Sequence, residues 1–164
     1  MIFLSNIGNL HNRTLHDRDI KNRFMTDEKF ANVTSKRARR RDPGSRRVVA
    51  ETDPRIFLDD PSYPESLARI EIGFHGRLTS AFQYWINWIE PERSLMIGWH
   101  QDDDHPCLGP VHIQLNWGEQ AIDHKQAKHI DEHPMAIVEA RLQQIPAAID
   151  AVQWESGDAV GLNW

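Results

Sequence analysis

Nineteen residues bounded by two tryptophans, Trp99 to Trp117 (WHQDDDHPCLGPVHIQLNW), hold most of the reactive chemistry of this chain. They bring together His100, His105, His112, three consecutive aspartates at 102–104, and Cys107, the only cysteine. Imidazole and carboxylate are ligands of Zn(II), Fe(II) and Mn(II), and two histidines with one carboxylate leave coordination positions open for catalysis. The candidate metal ligands are therefore His100, Asp102, His105 and His112. A second chemistry needs no metal: His100 and His112, with Asp102, can act as base and acid on a phosphodiester. A third account makes the segment a polar hairpin tip, with surface histidines and loop-capping aspartates.

Two strand-like runs must position these groups. Leu95–Gln101 and Val111–Trp117 both alternate, with Leu95, Ile97, Trp99, Val111, Ile113, Leu115 and Trp117 inward. A hairpin centred on Pro106 pairs residues whose numbers add to 212, which sets His100 opposite His112. Such partners have Cβ atoms ~5 Å apart, close enough to share an ion or a water. Both histidines then lie on the face away from Trp99, with Gln114, Asn116, Gln83 and Asn87 as polar neighbours. A one-residue slip would reverse that face. His124, His129 and His133 form a second group, expected on an exposed loop because Pro134 follows. Cys107, between Pro106 and Leu108, reads as incidental rather than nucleophilic.

Around this hairpin, Ala68–Phe74 alternates and His75-Gly76-Arg77 supplies a turn into a long strand, Leu78–Ile89, closed by Pro91. His133-Pro134 starts a helix whose stripe is Val138, Leu142, Ile145, Ile149 and Val152, with Pro146 expected to kink or split it. Trp154–Trp164 is a candidate last edge strand. Upstream, Asp17–Ala31 has a short-helix pattern through Ile20 and Phe24, and Val48–Ala50 that of a short strand. The expected fold is α+β: an antiparallel meander of four strands, or five with the C-terminal one, under a C-terminal helix. Residues 1–66 form a basic arm and extended connector, and 67–164 the compact domain.

Charge divides along the same line. Residues 1–50 hold 12 Lys+Arg against 5 Asp+Glu, a net of +7, while 51–164 hold 7 against 19, a net of -12. The arginine-rich run Lys36–Arg47 (KRARRRDPGSRR) offers Arg37, Arg39, Arg40, Arg41, Arg46 and Arg47 to a phosphate backbone or to an acidic protein partner. A solvated linker is the plainer account of such a run. No aromatic interleaves with these arginines, so base stacking is not expected within the run. No apolar run approaches the ~20 residues of a membrane helix. A lone cysteine fits a reducing, cytoplasmic setting. The short N-terminal core leaves a protein partner or a second copy open.

Two stretches resemble known families. Ile97–Pro110 (IGWHQDDDHPCLGP) resembles the metal-binding segment of AlkB-type Fe(II)/2-oxoglutarate dioxygenases. There a strand ends in a His-x-Asp pair, here His100 and Asp102. No histidine follows His133, and only Arg141 stands downstream where that family has an arginine pair. The body, Ala68–Val152, is similar to TumE-like toxins and related small prokaryotic families, through His100, Asp102, His105, His112 and the helix after Pro134. That resemblance implies a toxin–antitoxin component acting on nucleic acid or translation, with a protein partner.

Overall fold

A computed structural model describes residues 17–37, 46–75, 83–130 and 133–164. Seven strands form one antiparallel sheet in chain order: β1 (Phe30–Arg37), β2 (Arg46–Thr52), β3 (Ala68–His75), β4 (Gln83–Glu90), β5 (Leu95–Gln101), β6 (His112–Trp117) and β7 (Gln120–Gln126). Residues 17–25 are helical (α1), and Pro54–Phe57 is a single turn (α2). After the sheet comes a long helix, α3 (Pro134–Asp150), then a separate hairpin, β8 (Val152–Glu155) and β9 (Asp158–Leu162). None of the described helices is long and apolar enough to cross a membrane.

Alternation gives the sheet two unlike faces. Val48, Ala50, Ile70, Ile72, Phe74, Tyr84, Ile86, Trp88, Leu95, Ile97, Trp99, Ile113 and Leu115 are buried on one. The α3 stripe of Val138, Leu142, Ile145 and Ile149 is buried in the same core, as are Ile20 and Phe24 of α1. Aromatic rings link α1 to the sheet, from Phe24 through Phe30 and Phe57 to Trp88, with successive centroids 4.5, 5.9 and 5.1 Å apart. The other face carries Arg47, Glu71, Trp85, Asn87, His100, His112, Gln114 and His124.

The α+β class, the antiparallel meander and the C-terminal helix agree with the sequence reading, but the sheet has seven strands rather than four or five. The surplus comes from segments with little apolar alternation. β1 is mostly exposed, and β7 has no fully buried residue. Two ends of the basic run are thus strand: Lys36 and Arg37 close β1, and Arg46 and Arg47 open β2. The short strand expected at Val48–Ala50 is the middle of β2. The helix expected over Asp17–Ala31 ends at residue 25, because Phe30 and Ala31 pair with Thr52 and Glu51. The turn at residues 76–77 and the start of the Leu78–Ile89 run lie outside the described residues. Pro146 neither ends nor splits α3. Buried side chains on both sides of it, Leu142, Ile145 and Ile149, hold the helix to the sheet against the lost hydrogen bond. The C-terminal segment does not join the sheet edge; it turns at Gly157 (φ 94°) into its own hairpin.

Two buried charges lock the core face. Glu90 accepts hydrogen bonds from the Tyr63 hydroxyl (2.6 Å) and Trp88 Nε1 (2.9 Å), and Arg93 Nε lies 3.2 Å from its second oxygen. Arg141 donates to the Tyr84 hydroxyl (3.2 Å) and to the Lys128 carbonyl (2.6 Å), tying α3 to β4 and to the chain after β7. Truncating Glu90 to alanine would strand two buried donors and a cation. A loss of about 3–5 kcal/mol is expected, read by urea denaturation.

Candidate metal centre

Strand register assembles the centre. β5 pairs with β6 so that His100 faces His112, as the sum of 212 requires. Gly98, two residues before His100, has no side chain, and Asn87 of β4 leans into that space; a Cβ there would collide with Asn87 Oδ1. Asn87 Oδ1 is then 2.9 Å from His100 Nε2. A carbonyl oxygen can only accept, so Nε2 carries the proton and Nδ1 keeps its lone pair. That is the arrangement by which an outer residue orients a ligating imidazole.

The loop between β5 and β6 closes over the strand ends. Asp102 Oδ1 accepts the Asp104 backbone N–H at 3.0 Å, which fixes the aspartate at the start of the loop. A single 3-10 turn, Pro106–Leu108, follows His105, and Gly109 at φ 80° returns the chain to β6. His105 is thereby set against His112, ring centroids 4.6 Å apart, and against His124 of β7, 4.3 Å apart. His100 and His124 lie 5.4 and 5.6 Å from His112, centroid to centroid.

His112 is the hub. It is 1 % exposed, and neither ring nitrogen has a hydrogen-bond partner among the described residues. Its nearest charged neighbour is Asp102, with Oδ1 3.9 Å from Nδ1, too long for a hydrogen bond. Two sets of side chains bring ligand atoms within 4.8 Å of one another: His105, His112 and His124, and His100, Asp102 and His112. The first set is three neutral ligands, the second two imidazoles and a carboxylate; both are known divalent-metal arrangements.

Burial pushes His100 down to about 4, with the His112 imidazole the next cause. Burial also lowers His112 and His124, and Asp102 opposes it only in part. All three rings are therefore neutral near pH 7, the form that ligates metal. The same shift weakens the metal-free acid–base account, in which one ring must carry a proton to donate.

Four candidates from the sequence, His100, Asp102, His105 and His112, thus come together. His124, expected with His129 and His133 on an exposed loop, belongs instead to β7 and to the centre. Turn signals at Gly118 could have suggested a β6–β7 hairpin. A regular one, however, would pair Trp117 with Gln120 and set His124 opposite Ile113 in the core. A register shift between Leu115 and Asn116 inserts a residue and moves His124 opposite Gln114, on the centre's face. His133 caps α3, its Nδ1 accepting the Met135 N–H at 3.3 Å, and His129 and Cys107 are exposed; none of the three joins either set. Arg141 is buried on the opposite face, so it does not approach the centre.

A continuous row of paired residues runs from the centre to the far edge: His112, His100, Trp85, Gly73, Arg47 and Lys36. The Trp85 indole lies across Gly73, filling space a side chain there would need. Arg47 Nη1 contacts Glu71 at 2.8 Å, and Glu71 also meets Arg69 Nε at 3.2 Å. Arg39, Arg40 and Arg41 lie outside the described residues. Arg37 and Arg46 pair across β1 and β2.

No protein-family model matches this chain, and neither does any curated protein or solved structure.

Proposed function

We propose that the protein holds a divalent cation at His112 and uses it on the phosphodiester backbone of a nucleic-acid strand lying along the sheet face that α3 leaves uncovered. One observation carries the reading: a fully buried imidazole, both nitrogens without a hydrogen-bond partner among the described residues, stands where His100, Asp102, His105 and His124 converge. Buried polar atoms are almost always paired, so such a ring among other ligands suits a metal ligand. Zn(II), Mn(II) or Fe(II) suits the donor sets. Such an ion supplies Lewis-acid polarisation of a phosphoryl oxygen and lowers the pKa of a bound water. Water oxygen would then bond to phosphorus as the bridging P–O bond breaks, with the leaving oxygen taking a proton.

What supports nucleic acid as the ligand is the far end of the row. Lys36 and Arg47 stand opposite each other, as do Arg37 and Arg46. Lys36 is exposed there beside Arg47, which already meets Glu71, and an anionic strand would give Lys36 a counter-charge. From Arg47 to His100 is three strand spacings, roughly 14 Å, with the Trp85 indole between them. Such a target would suit the small prokaryotic toxin-like or accessory role that the sequence resemblance to TumE-like toxins implies. The same cationic pairs favour a second reading, a non-enzymatic module that binds nucleic acid or an acidic protein without metal.

Labelled single-stranded RNA, with and without added Mn(II) or Zn(II), separates them. Metal-dependent cleavage that is lost in His112→Leu supports the first reading. Salt-sensitive binding without cleavage, unaltered in His112→Leu and weakened about tenfold or more in Lys36→Ala/Arg47→Gln, would replace it by the second. Neither binding nor cleavage would overturn RNA as the ligand in either reading and leave the acidic protein partner.

A further inference from the structure

We infer that His112 serves two cations at once, one through each ring nitrogen. This rests on the metal reading above and goes beyond it by adding a second ion. The two ligand sets share no member but His112. Their remaining members flank it from opposite sides: His100 comes from β5 and His124 from β7, the two neighbours of β6. Each set has its ligand atoms within 4.8 Å of one another, and among the described residues no single group within that limit takes in both sets. Ring contacts repeat the division. His105 and His124 stack together at 4.3 Å, while Asp102 lies on the Nδ1 side of His112. Nδ1 therefore belongs to the set with His100 and Asp102. The other nitrogen, Nε2, would then serve the set with His105 and His124.

A residue with one job at a single ion would be expected to give its second nitrogen to a backbone carbonyl or a carboxylate, as ligating histidines ordinarily do. His112 does not: both nitrogens are buried and lack a hydrogen bond among the described residues. His100 shows the ordinary pattern in the same site, with Nε2 on Asn87 and Nδ1 left for the ion. The proton balance is simple. Neutral His112 carries one N–H; when the second ion takes that nitrogen, the proton leaves to solvent. With metal–nitrogen bonds of ~2.0–2.1 Å on both sides of the ring, the ions would stand roughly 6 Å apart. Beside the shared imidazolate, one site adds two neutral imidazoles and the other an imidazole and a carboxylate, so the two would differ in charge and in affinity.

The test uses chelator-stripped full-length protein titrated with Zn(II), followed by gel filtration and metal analysis. Two ions per chain are expected in the wild type, one in His100→Ala, one in His124→Ala, and none retained in His112→Leu. Loading with Cu(II) reads the bridge: two coppers per chain should give a spin count well below the copper content, and His100→Ala should restore one full spin per bound copper. A single ion per chain, lost in His112→Leu, would overturn the second ion and leave the metal reading standing. Two ions that both survive His112→Leu would overturn the sharing of His112. No retained ion would sink the metal reading itself. Circular dichroism of each variant keeps loss of fold apart from loss of binding.

Discussion

Replacing His112 by leucine is expected to stabilise the metal-free protein while abolishing metal binding. In the folded chain this imidazole is 1 % exposed and leaves two polar atoms without hydrogen bonds. Each unsatisfied buried group costs about 1–3 kcal/mol, and an apolar side chain of similar size removes that cost. Leucine also needs no polar partner where His112 sits, against the rings of His100, His105 and His124. A gain of about 1–2 kcal/mol is expected in denaturant titrations run with chelator, with a rise in Tm of roughly 2–8 °C for a chain of this length. In excess Zn(II) the order should reverse, because only the wild type gains binding energy in the folded state. A histidine kept for packing would behave differently: leucine would destabilise the protein equally with and without metal. The expected trade, stability yielded for a site, is where local rules are ordinarily broken.

The second large effect is expected at Gly98. An alanine Cβ there would collide with Asn87 Oδ1 and come within 2.5 Å of the Ile86 carbonyl oxygen and 2.8 Å of Asn87 Cα. Two of those three are backbone, so the strands must move apart rather than a side chain swing away. β5 lies inside the sheet, paired on both edges, and cannot shift without disturbing β4 and β6. A destabilisation of about 1–3 kcal/mol is expected from the overpacking. Metal affinity should also fall, by about 10–100-fold, because the Asn87 carbonyl that holds His100 is pushed aside. Asn87→Ala separates the two effects: it should reproduce the affinity loss with little change in the denaturation midpoint. If Gly98→Ala bound metal as tightly as the wild type, Asn87 would have no part in positioning His100.

Much of the centre was legible in the alternation of two strands. Leu95, Ile97 and Trp99 against Ile113, Leu115 and Trp117 fix one face of the hairpin, and centring it on Pro106 sets its register. Together they place His100 opposite His112. Asp102 and His105 follow because both lie in the loop that joins these two strands. His124 was not legible, for two physical reasons. The segment QAIDHKQ has no run of buried residues, since β7 is an edge strand half covered by β9. The bulge between Leu115 and Asn116, which alone turns His124 toward the centre, leaves no mark in residue type. β1 and β2 were hidden for a related reason. Their arginines read as an arm, yet Lys36, Arg37, Arg46 and Arg47 sit at the end of a paired hairpin whose fully buried apolar residues are Val48, Val49 and Ala50. Asn87 was named as a neighbour of the polar strip, but its role depends on the missing side chain of Gly98, a contact visible only in three dimensions.

A calorimetric titration of chelator-stripped protein with Zn(II) tests the central claim most directly. The account predicts saturable binding of at least one ion per chain, micromolar or tighter, retained through gel filtration and lost in His112→Leu. Absence of binding, or binding undiminished in that variant, would contradict it.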